Sequence, residues 1–191
     1  MTVTYRTIGV TVLSGTLLLT AASLSGQGAA EVFTATAAAK TATGGSASAP
    51  MTITIDRKMS QSEAESVAAA FKTGGAAALR KALAGIPPTG TVQLGEGKAT
   101  PTRFTIERPT GGGRLLTILT DQPLLFLGAG MPGAKPKEGY DFAVIDIEVD
   151  AKGNGSGTLA PAARLRLNQG AFVVEDYGAE VVRLTAVKKT K

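Results

Sequence analysis

Short runs of alternating apolar and polar residues, punctuated by glycine and proline, constrain this chain more than anything else it contains. Met51-Thr-Ile-Thr-Ile-Asp56 sets Ile on one face and Thr on the other, the period-two pattern of a half-buried strand. In Tyr140–Asp150 the residues Ala143, Ile145, Ile147 and Val149 share one face, and Asp146, Glu148 and Asp150 the other. Arg103–Arg108 and Arg114–Thr120 flank Pro109-Thr-Gly-Gly-Gly113 and read as a hairpin. Thr91–Leu94 and Leu124–Leu127 read as short strands, Thr158–Leu167 pairs with Tyr140–Asp150, and Ala171–Asp176 pairs with Glu180–Val187 around Tyr177-Gly178. Consecutive strands with short turns favour an antiparallel meander over βαβ units. The expected fold is α+β: about six to eight strands in a curved sheet or small barrel, with two short helices near its N-terminal end.

The helices come from one segment. Ser60-Gln-Ser-Glu63 matches a capping box, and Ala64, Val67, Ala68 and Phe71 follow at helical spacing. Gly74-Gly75 should stop that helix. A second should run from about Ala76, with Leu79 and Leu83 one turn apart, to Gly85 before Pro87-Pro88.

Residues 1–30 read as an address. Arg6 precedes an uncharged, mostly apolar run from Ile8 to Leu24, and Gly28 and Ala30 form a small-x-small exit before Glu31. This is the pattern of a cleaved signal peptide, so the chain is expected to be exported, to periplasm, cell surface or medium, with a mature start at Glu31. With no Cys after the apolar run, it is not a lipoprotein. Thr34–Ala49 holds only Ala, Thr, Gly, Ser and one Lys, so residues 31–50 are expected to be a flexible linker. Residues 51–191 then form a single globular domain of ordinary size.

The chain has no Cys, His or Trp. That removes imidazole bases, thiolate nucleophiles, disulfides and metal sites built on nitrogen or sulfur ligands. No cofactor is expected. The net charge is +5, with three cations, Lys188, Lys189 and Lys191, at the C-terminus. They offer contact with an anionic surface, whereas 5% aromatics leave nucleic-acid binding without stacking platforms.

Motif by motif, the chemistry thins out. Gly128-Ala-Gly130-Met-Pro-Gly133 has dinucleotide spacing, but Pro132 and Pro136 block the helix that would hold the pyrophosphate. Gly95-Glu-Gly97-Lys98 lacks the first glycine and the hydroxyl residue of a phosphate loop. Asp150-Ala-Lys152-Gly-Asn154-Gly155 starts like a calcium loop, yet it has Lys at the third position and Pro161 at the twelfth; a hairpin turn at Asn154-Gly155 is the plainer reading. Asp146, Glu148 and Asp150 are expected beside Arg164 and Arg166 on one solvent face.

Glu31-Val-Phe-Thr-Ala, Thr120-Asp121-Gln-Pro123, Asp141-Phe-Ala-Val-Ile-Asp-Ile-Glu148, Glu175-Asp176-Tyr177 and Val182-Arg183-Leu184 together resemble a family of small exported bacterial proteins with no assigned function. The resemblance implies export and brings no activity or site residues. Three functions fit the sequence. The first is a non-catalytic exported module acting by its surface or by assembly. The second is a protein that binds a small apolar ligand or lipid between sheet and helices, lined by Phe104, Leu124, Leu125, Phe126, Leu127, Phe142 and Phe172. The third is a carboxylate-dependent hydrolase.

Overall fold

Nine antiparallel strands and one helix form the computed structural model, which describes residues 29–40, 46–124, 138–177 and 181–191. β1 (Glu31–Lys40), β2 (Ser46–Ile55), β3 (Gly90–Leu94), β4 (Thr100–Thr110), β5 (Gly113–Thr120), β6 (Phe142–Val149), β7 (Asn154–Asn168) and β9 (Val182–Lys189) make a closed ring. The order around it is β6-β5-β4-β3-β2-β1-β9-β7, and a β6–β7 pairing shuts it. The sheet therefore closes as an eight-stranded antiparallel barrel. β8 (Ala171–Tyr177) stands outside the ring, paired to the far half of β7.

The expected hairpins β4–β5 and β6–β7 are present, with Thr117 opposite Asp146 on β5–β6. Three expectations are corrected. The described part of the expected flexible linker 31–50 is strand: residues 31–40 supply all of β1 and 46–50 half of β2, paired in register from Glu31↔Ile55 to Lys40↔Ser46. Their own apolar area is small, but Phe33, Ala35 and Ala37 point into a barrel that six other strands fill, so each alanine sits where nothing larger is needed. β8 and β9 do not form a hairpin with each other. Both use β7, whose first half pairs with β9 and whose second half pairs with β8. The helices are one element, α1 (Gln61–Ala84), rather than two; Gly74 and Gly75 leave helical dihedrals inside it, Gly75 with φ of 61°. The predicted capping box is present, Glu63 N–H donating to Ser60 Oγ at 3.2 Å and Ser60 N–H to Glu63 Oε2 at 2.8 Å.

Alternation builds two cores. The inward residues, among them Phe33, Met51, Ile53, Leu116, Ile118, Ile145, Leu159 and Leu184, pack the barrel interior. The outward residues of β4–β7 would be solvated in a bare barrel; here Phe104, Leu119, Phe142, Val144 and Ala163 are covered by Val67, Leu79 and Leu83 of α1 and Phe172 of β8. The opposite wall, β3-β2-β1-β9, presents Thr91, Thr52, Thr54, Thr34, Thr36 and Thr185 outward. Closure is tightest on β7. A Cβ at Gly155 would stand 1.8 Å from the Glu148 carbonyl oxygen, and one at Gly157 would stand 2.2 Å from that of Asp146. Only glycine lets β7 coil so close to β6. Among the described residues no helix is long and apolar enough to cross a membrane. The expected signal peptide lies outside the described residues, apart from Ala29 and Ala30.

Candidate functional site

One end of the barrel carries a network of five charges drawn from five places in the chain. Glu31 opens β1, Lys58 follows β2, Glu107 lies on β4, Arg114 on β5, and Lys189 closes β9. The antiparallel alternation of strand directions brings all of them to the same mouth. Arg114 grips Glu31 with both amino groups, Nη2 to Oε2 at 2.8 Å and Nη1 to Oε1 at 3.1 Å. Its Nη1 also donates to Glu107 Oε2 at 2.7 Å, and its guanidinium lies 5.8 Å from the centre of the Phe33 ring. Lys58 Nζ joins the same two acids, at 2.5 Å from Glu107 and 3.4 Å from Glu31, and Lys189 Nζ is 3.6 Å from Glu31.

A cleft of about 770 Å³ opens here, walled also by Pro109, Gly113 and the turn Asp150–Gly153. Burial by itself would raise the Glu31 carboxyl, whose side chain is only 13% exposed, but the Arg114 hydrogen bond and the charges of Lys58, Arg114 and Lys189 hold it below its usual range. Glu107 behaves alike: burial opposes, and the bonds from Lys58 and Arg114 prevail. The Arg114 guanidinium is pushed up in turn by its bond to Glu31. Both acids are therefore fixed as carboxylates with their lone pairs engaged, an arrangement suited to fastening strands together and unsuited to donating a proton.

The C-terminal lysines belong to this end. Lys188 and Lys189 lie in β9, and the Lys191 carbonyl accepts the Val32 N–H at 3.1 Å, so they are mounted on the barrel rather than trailing from it. No sequence signal marks the network: its members are far apart, and only the ring topology assembles them.

Of the proposed ligand-lining residues that are described, three share one cluster and the fourth lies in the other. Leu124 (5% exposed) faces the barrel interior, while Phe104 (2%), Phe142 (1%) and Phe172 (5%) belong to the outer core. Leu125, Phe126 and Leu127 lie outside the described residues, as does the Gly128–Gly133 motif. Phe104 and Phe172 do meet, edge to face at 5.4 Å, and Phe71 packs against Phe172 at 5.5 Å. Phe104 and Phe172 line a groove of about 310 Å³ between the start of α1, β4 and the β7–β8 turn, with Met59, Ile106 and Arg108 along it.

The acidic face is also rearranged. Asp146 and Glu148 lie opposite Thr158 and Ser156, whereas Arg164 and Arg166 lie farther along β7 and pair with β8, so the expected acid–arginine neighbours are not neighbours. The Arg164 guanidinium instead sits 5.1 Å from the Tyr140 ring centre, and the Tyr140 hydroxyl donates to Asp176 at 2.5 Å. Asp146 accepts from the Thr117 hydroxyl at 2.6 Å; burial pushes its carboxyl up, outweighing that bond and the Arg108 charge. Neither Asp146 nor Glu148 lines the mouth cleft or the groove. The Asp150 segment is a turn: its Oδ1 accepts from the backbone N–H of Lys152 at 2.8 Å and of Asn154 at 2.9 Å. The positive φ, 79°, falls on Gly153 rather than on Asn154-Gly155. Among the described residues no three Asp or Glu side chains gather closely enough to hold a metal ion.

Compared with protein-family models, curated proteins and solved structures, the chain matches none.

Proposed function

We propose that this chain is an exported, non-catalytic β-barrel module that acts through its outer surface or by assembly. The observation that carries this reading is the packed interior. Phe33, Met51, Ile53, Leu116, Ile118 and Ile145 fill the space that a ligand-carrying barrel of this strand number would leave for its cargo. What the molecule offers to others is then its outside: the threonine-rich wall, the charged mouth with Lys188 and Lys191 exposed near it, and the β8 edge. The signal-like first thirty residues and the resemblance to small exported proteins support export.

Native mass spectrometry of the protein recovered from its own host tests the reading. The expected spectrum shows the bare chain, alone or in stoichiometric assemblies. A retained adduct of a few hundred daltons, released on denaturation, overturns it. A second reading, a small apolar ligand, is favoured by one observation, the groove lined by Phe104 and Phe172. In that case Phe172→Ala abolishes the adduct.

A further inference from the structure

We infer that the bond between Ala30 and Glu31 is cut before the barrel closes, because folding removes it from reach; this rests on the export reading above. Glu31 is the first residue of β1, and both backbone edges of its neighbour Val32 are taken. On one side Glu31 pairs with Ile55 and Val32 with Thr54. On the other, Val32 N–H donates to the Lys191 carbonyl at 3.1 Å, and Thr190 N–H donates to the Val32 carbonyl at 2.7 Å. The Thr190 hydroxyl adds a bond to that same oxygen at 3.2 Å. Peptidases that bind an extended substrate take its backbone as an added strand and need an open edge beside the scissile bond. On the C-terminal side of the bond none is open here, although Ala29 and Ala30 lie outside the sheet, and the Glu31 side chain is tied down by Arg114, Lys58 and Lys189.

Topology sets the timing. The residues that seal Val32 lie 158 positions later in the chain. A chain that crosses a membrane N-terminus first has β1 and β2 outside long before β9 arrives, and an isolated two-stranded hairpin is marginal in water. The bond stays exposed through passage and is masked when the last residues dock. Cutting it is a hydrolysis: the Ala30–Glu31 C–N bond breaks, water's oxygen bonds to the Ala30 carbonyl carbon to give a carboxylate, and the Glu31 nitrogen leaves as an ammonium at the barrel mouth. Water is the only co-reactant.

The test gives a bacterial signal peptidase the full chain 1–191 in detergent, either folded or carrying Leu184→Asp. That substitution puts a charge into the barrel interior and opens the seam, which circular dichroism verifies. Intact mass reads the product. The expected result is a product starting at Glu31 from the variant, formed at least about 100-fold faster than from the folded wild type, because cleavage of the latter waits on opening of β1. Equal rates overturn the inference and leave the export reading standing. Failure of both forms to be cut at this bond overturns the export reading itself.

Discussion

The barrel interior and the outer core are both buried and apolar, yet they are assembled by different means. The interior takes apolar residues from seven of the eight ring strands, β4 excepted, many of them small or branched, from Ala35 to Ile145. The outer core depends on a few large side chains from two add-on elements, α1 and β8, laid over the wall of β4–β7, and Phe71, Phe104 and Phe172 form its aromatic contacts. Ring closure makes the first core all-or-none, because removing one strand exposes two edges. The second is a cover that can loosen while the ring beneath it stays shut.

A severe way to break the interior is Gly157→Ala. The new methyl group would stand 2.2 Å from the Asp146 carbonyl, so β7 and β6 cannot both keep their places. A loss exceeding about 4 kcal/mol is expected, visible as the absence of a cooperative urea transition. Truncating one aromatic ring in each core then separates the two. Phe33→Ala should cost about 3–5 kcal/mol and lower strand and helix signals together in thermal melts, whereas Phe172→Ala should cost about 3 kcal/mol and release the helical signal first. Coincident melting in both variants would erase the distinction drawn above.

Two carboxylates sharpen the contrast at smaller scale. Glu31 is held below its ordinary range by cations, so its contribution is complete above the ordinary carboxylate range and lost as pH falls through its folded value. Glu31→Gln should therefore cost about 1–2 kcal/mol at neutral pH, diminish in high salt, and match wild type in strong acid, as read by urea midpoints against pH. Asp146 carries the opposite sign: burial raises it, so its ionised form weakens the fold at neutral pH and protonation relieves this as pH falls. Asp146→Asn should be neutral to about 1 kcal/mol stabilising at pH 7, with the difference closing as the pH drops through the raised value. Should Asp146→Asn destabilise at neutral pH, the bond from Thr117 outweighs the burial of charge.

Much of the architecture was legible because it is local. The Thr/Ile alternation of Met51–Asp56, the Ala143–Val149 face and the Ser60–Glu63 cap each act within a few residues, and each stands in the structure where pattern placed it. The larger failures are non-local. Composition makes Glu31–Pro50 too poor in apolar residues to fold, because it measures what a segment brings and not what the other strands offer β1 and β2. Alternation alone sets Arg164 and Arg166 beside Asp146, because it extends the β6 pairing along all of β7, whereas the second half of β7 turns to β8. The charged mouth left no trace in the sequence, since its five members share neither spacing nor motif.

The sequence by itself determined the antiparallel, hairpin-built character of the chain, its cap, its turns and the chemistry that it lacks, because side-chain periodicity and residue inventory are properties of short segments. Tertiary structure alone decided that the sheet closes, that β9 enters between β1 and β7, that β8 is left outside, and that Glu31 meets Arg114, Lys58 and Lys189. Those outcomes depend on which strand edge finds which other edge. All backbone edges carry the same amide donors and acceptors, so that choice rests on the packing of the whole ring.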